Sequence, residues 1–154
     1  MLDVGVGVPD TLEFLNQFRC KVYFLDLAEV LDDEAETDSY EKALSAYSGV
    51  LFDVCLFWDL LHRLNADQLA ALSTALAPHI FSATKIHSIC TLSDADGMWD
   101  YRIRGIDQLE KVSGKPRSYQ PWSHTDFAEQ FSCARTIADR QSQDGCLEML
   151  LETE

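Results

Sequence analysis

The stretch Leu2-Asp3-Val4-Gly5-Val6-Gly7-Val8-Pro9 decides the fold. Met1 to Val6 reads as a short apolar strand that runs into Gly5 and Gly7. Glycines there let the backbone turn sharply and approach a ligand that a Cβ would push away. The same residues also serve a plain strand-to-helix turn. Asp10 reads as a helix N-cap with Glu13 as its capping-box partner, and Leu12, Leu15 and Phe18 give that helix one apolar stripe.

Strands and helices alternate from there. Lys21 to Leu27 (KVYFLDL) is aromatic and β-branched, a strand; Ser39 to Tyr47 is a weaker helix; Phe52 to Phe57 (FDVCLF) is an apolar strand of the kind covered on both faces. Asn65 and Gln68 form a second capping-box pair ahead of Leu69, Leu72 and Leu76, and Pro78 stops that helix. Ile86 to Leu92 is the next strand, WDYRIRG an exposed strand, and Thr125 to Phe131 a short helix. Cys133 to Ala138 and Cys146 to Glu152 then form an antiparallel pair joined through Gln143-Asp144-Gly145. This alternation predicts an α/β sheet, mostly parallel with a C-terminal antiparallel hairpin and helices on both faces. A ligand crevice is expected at the carboxyl ends of its central strands.

Composition narrows the class. The chain has 154 residues, with 12 basic and 26 acidic side chains and a net charge of −14. One domain spanning 1–154 is expected. The charge argues against a nucleic-acid partner or an anionic membrane surface, and no apolar run approaches the roughly 20 residues of a membrane span. Eight acids fall between Asp26 and Glu41 with no Lys or Arg among them, so 28–50 reads as an acidic, irregular connection. The five cysteines lack CxxC spacing and the four histidines lack HxxxH or HExxH spacing. The expectations are buried free thiols, no metal site and a cytoplasmic location.

Taken in order, the glycine stretch, KVYFLDL and FDVCLFWDLLHRL resemble the class I S-adenosylmethionine-dependent methyltransferases. Asp3, Gly5 and Gly7 match an acidic residue followed by GxGxG, with Pro9 in place of the third glycine. Asp26 matches the acid that ends strand two, Phe52-Asp53 the aromatic-acid pair of strand four, and Leu61-His62 the turn after it. The resemblance implies a Rossmann-like methyltransferase sheet and S-adenosylmethionine as cofactor. Asp3, Gly5, Gly7, Asp26, Leu27 and Trp58 would bind it, Asp26 accepting the ribose hydroxyls and Asp3 facing the ammonium. The methyl acceptor would be a small molecule or protein. The family's helices before strand one have no counterpart after Met1, and 28–50 shows no clear third strand. The homodimer or other partner expected from this would cover the crevice.

Other candidates have two readings each. Asp59 and His62, three apart, are a base and its orienter or a surface cap pair. Tyr119, Trp122 and His124 line a substrate mouth or a packed loop. The alternative to an active methyltransferase is a catalytically silent interaction or regulatory module on the same fold. A second alternative is a receiver-like domain with Asp59 as phosphoacceptor. Nicotinamide-binding and flavodoxin-like readings fail on Asp10, where a third glycine is wanted, and on the lack of a Ser/Thr-rich phosphate loop.

Overall fold

The apolar run after Asp53 becomes β3 (Val54–Trp58), and its neighbours set the topology. In a computed structural model that describes residues 1–27, 38–92, 97–115, 118–142 and 145–153, β3 pairs in parallel with β1 (Leu2–Asp3) and with β4 (Lys85–Thr91). Outside β1 lies β2 (Tyr23–Phe24), also parallel. Outside β4 lies β8 (Cys146–Glu152), antiparallel, and then β7 (Arg135–Gln141). The order is β2-β1-β3-β4-β8-β7. This is the expected α/β sheet, parallel through four strands and closed by an antiparallel pair.

Side chains of β3 alternate between two apolar clusters, as the two-residue strand period requires. Cys55 and Phe57 enter the main core with α2 (Asp38–Ser45), α3 (Ala66–Leu76) and α4 (His124–Gln130), through Leu44, Leu69, Leu72, Phe127 and Phe131. Leu56 and Trp58 face a smaller cluster with Ile89, Tyr101 and Cys146. Tyr101 belongs to a separate hairpin, β5 (Met98–Gly105) with β6 (Gln108–Lys115). That hairpin docks on α1 (Pro9–Leu15): Ile103 N donates to Thr11 Oγ1 at 3.0 Å, and Arg102 and Arg104 reach the Asp10 carboxylate at 3.0 and 2.9 Å.

Several expectations change. Asp10 is not the N-cap; Val8 is, with Pro9 in the first turn and no side-chain cap bond. The ring of Pro9 presets a helical φ, so the helix starts two residues early, and Asp10 is drawn to the hairpin arginines instead. Leu12 is exposed, and Phe18 lies past the helix end, edge-on to Phe14. The strands expected over Met1–Val6 and Lys21–Leu27 shorten to two residues each. WDYRIRG has a partner, β6, that had not been expected. The weaker helix expected over Ser39–Tyr47 forms as α2 at Asp38–Ser45, and the described part of 28–50 holds no strand, as expected. Residues 28–37 and the Gln143-Asp144 turn lie outside the described residues. The Asn65–Gln68 capping box forms in both directions, at 2.9 and 3.0 Å. Cys55 and Cys90 are buried free thiols, as expected.

Candidate functional site

The strand order reverses direction between β1 and β3, and a cleft lies there at their carboxyl ends, nearly filled by side chains with a free volume of about 20 Å³. Val4, Gly5, Asp26, Phe57, Trp58, Asp59, Leu60, Met98, Trp99 and Asp100 line it. Three segments expected to meet do meet: the first glycine turn, the residue after KVYFL, and the end of FDVCLFW. Leu27, by contrast, is buried in the main core, and the missing Cβ of Gly7 faces the Phe24 ring at 3.2 Å. Neither lines the cleft.

Trp58 dominates the cleft. Its indole Nε1 donates to Asp3 Oδ1 at 2.6 Å, both residues being buried. Its Cδ1 lies 3.2 Å from where a Gly5 Cβ would stand, so the close approach that Gly5 permits is made by this ring. The ring also stacks on Tyr101, centroids 5.9 Å apart and 14° between planes. Trp58 has φ +43, a left-handed conformation that costs a bulky residue on the order of 1–3 kcal/mol and commonly marks functional positions. Its carbonyl accepts from Ser88 Oγ at 2.7 Å. Burial raises the Asp3 carboxyl from 3.8 to about 6, and the indole N–H partly opposes the rise.

Asp59 and His62 do not form a catalytic pair. Asp59 is wholly enclosed and pairs with Arg63, Nη2 to Oδ2 at 3.1 Å. It also accepts from the amides of Thr91 at 3.2 Å and Trp99 at 3.0 Å. Arg63 goes on to the carbonyls of Thr91 and Gly97 at 3.0 and 2.7 Å. Burial raises the Asp59 pKa against the pull of Arg63 and the two amides. The network ties the end of β3 to the segment entering the hairpin. Asp59, enclosed and paired with Arg63, lacks the exposure that a phosphoacceptor or a surface cap needs. His62 is buried between Tyr119 and Phe127, with ring centroids at 6.1 and 5.5 Å. Its Nδ1 has no hydrogen-bond partner among the described residues, and burial lowers its pKa from 6.5 to about 4.

Tyr119, Trp122 and His124 do not line the cleft. Tyr119 stacks on His62, Trp122 packs against the main core, and His124 opens α4 in solvent, 3.7 Å from Asp139. Sequence reading missed Met98, Trp99 and Asp100, which form the hairpin wall of the cleft. Their signal was the WDYRIRG run, whose two arginines needed an acid to dock on.

No protein-family model matches the sequence, and no curated protein matches it. Solved structures do. A S-adenosylmethionine-dependent methyltransferase from Clostridium acetobutylicum superposes with TM-score 0.60 at 12% identity, covering 99% of this chain and 82% of the other. The glycopeptide N-methyltransferase MtfA, complexed with S-adenosylhomocysteine, gives 0.56 at 15%, with 99% and 80% covered. The fold is that of the class I methyltransferases. A third methyltransferase-fold relative is the Burkholderia thailandensis 1,6-didemethyltoxoflavin-N1-methyltransferase, with 1,6-didemethyltoxoflavin and S-adenosylhomocysteine bound. It gives 0.54 at 17%, with 99% and 69% covered. Within the methyltransferase fold, this chain's hairpin contributes Met98, Trp99 and Asp100 at the start of β5 to the cleft wall.

Proposed function

We propose that this chain is a methyltransferase-like protein that binds S-adenosylmethionine, or its homocysteine product, in the cleft between β1 and β3. The methyl acceptor would be a small molecule or another protein. The convergence of Val4-Gly5, Asp26 and Trp58 on one crevice at the switch point carries this reading. The donor set suits the ligand. Asp26 offers a carboxylate for ribose hydroxyls, and such bonds are strengthened by charge. Asp26 and Asp100 give the cleft an acidic lining fitted to a sulfonium and an ammonium, with Asp3 buried behind the Trp58 indole, while Phe57, Leu60 and Met98 supply apolar wall. The indole N–H of Trp99 is buried without a partner among the described residues, a donor not consumed by the fold. When bound, the sulfonium supplies the activated methyl; the protein's part is alignment and exclusion of water. Asp59 and His62 are committed to folding and take no proton in this scheme.

A second reading, a catalytically silent module on the same fold, is favoured by the Trp58 ring resting on Gly5. Isothermal titration with S-adenosylhomocysteine, repeated on Asp26→Ala, tests the first reading. Binding that weakens about tenfold or more in the variant supports it, since hydrogen bonds to a charged group contribute about 1.5–3 kcal/mol. No heat up to millimolar ligand removes it.

A further inference from the structure

The residue that lies on Gly5 in this structure is part of the protein itself. Trp58 reaches the cleft floor from the end of β3, held by a positive φ, by the Ser88 bond to its carbonyl and by the Tyr101 ring behind it. Its indole N–H occupies Asp3, a carboxylate only 3% exposed, across 55 residues of sequence. One side chain therefore uses both the space above the first glycine and the anion beside it.

A ligand with an extended amino-acid arm needs that space and that anion, whereas a ligand ending at the ribose 5′ position needs neither. We infer that Trp58 is the specificity-determining residue of the cleft: a ligand carrying an ammonium takes Asp3 over from the indole N–H and turns the ring off Gly5, and a ligand without one leaves the Trp58–Asp3 bond intact. This rests on the cleft taking an S-adenosyl ligand, as proposed above. An ammonium is the right competitor on physical grounds. It brings a full positive charge to a buried carboxylate, where the indole brings only a neutral donor. The released ring keeps an apolar neighbour in Tyr101.

The test compares S-adenosylhomocysteine, which has the ammonium, with 5′-methylthioadenosine, which lacks the arm. Each is titrated calorimetrically into the wild-type chain, Trp58→Ala, Trp58→Phe and Asp3→Asn. Removing a competing bond to a charged group is expected to tighten S-adenosylhomocysteine about tenfold in Trp58→Ala. Trp58→Phe, which keeps an aromatic ring but loses the N–H, should show part of that gain. Asp3→Asn should weaken S-adenosylhomocysteine, and methylthioadenosine should change little in all three variants. Acrylamide quenching gives an independent readout. It should increase when S-adenosylhomocysteine saturates the wild type, not with methylthioadenosine, and the increase should vanish in Trp58→Phe. Equal effects of Trp58→Ala on both ligands, or none on either, would overturn the inference while leaving the cleft as the binding site. Failure of both ligands to bind any of the four proteins would overturn the binding reading and the inference with it.

Discussion

Trp58 donates to the buried carboxylate of Asp3 at 2.6 Å, joining the end of β3 to the end of β1 across the floor of the cleft. The bond stabilises a conformation in which the most prominent acid of the glycine stretch is withdrawn from solvent. Keeping a carboxylate there costs stability, because burial opposes its ionised form.

That cost sets a pH dependence. The folded pKa of Asp3 is raised to about 6 from 3.8, so its contribution is fully present below about 4 and is lost as pH rises toward 6 and beyond. Asp3→Asn remains neutral and still accepts from the indole. It is expected to be more stable than wild type at pH 7 by an amount on the order of 3 kcal/mol, with the difference vanishing near pH 4. Urea unfolding across this range checks it; a variant less stable at pH 7 would contradict it.

His62 acts with the opposite sign. Its folded pKa is lowered to about 4 from 6.5, so stability is full above 6.5 and falls as pH drops toward 4. Between about pH 4 and 6 the two groups oppose one another, and the wild type is expected to show a shallow profile. His62→Phe keeps a ring between Tyr119 and Phe127 and should gain up to about 3 kcal/mol over wild type at pH 4. Equal pH profiles for variant and wild type would show that the imidazole is not held neutral by burial.

The Asp59–Arg63 pair is expected to behave as structure. Arg63→Ala leaves an enclosed carboxylate without its cation and should cost about 3–5 kcal/mol. Amide exchange at Thr91 and Trp99, whose N–H groups bond that carboxylate, should accelerate. A variant of unchanged stability would show that the pair is not closed.

Docking of the hairpin depends on Asp10. Asp10→Ala removes solvent-screened, partly exposed ion pairs to Arg102 and Arg104, a small loss of docking strength. Exchange over 98–105 should speed up by a few-fold while α3 stays protected. Gly114→Ala is a harsher change, since its Cβ would stand 1.6 Å from the Met98 carbonyl oxygen and force the hairpin strands apart. Unaltered protection of β5 in both variants would contradict this docking.

What the sequence revealed follows physical range. The strand β3 and helix α3 were legible because a continuous apolar run and a capping box are local signals. The cleft was legible in part, since Gly5, Asp26 and Trp58 mark the ends of separate strands that the fold must bring together. Strand β6, with the sequence QLEKVSGK, was not: its polar residues carry no two-residue apolar period, and Leu109 is exposed. Asp59 misled because its spacing to His62 was read and its spacing to Arg63, one turn on, was not. Burial separates those choices, and burial is a tertiary property. Asp3 and Trp58 were read separately, and only the folded structure shows that one bonds the other.

The most direct test of the cleft is an amide and indole NMR titration of the wild-type chain with S-adenosylhomocysteine. The account predicts shifts concentrated at Val4, Gly5, Asp26 and the Trp58 indole N–H, with Tyr119, Trp122 and His124 unmoved. Resonances that stay fixed to millimolar ligand, or shifts centred away from the β1–β3 switch point, would contradict it.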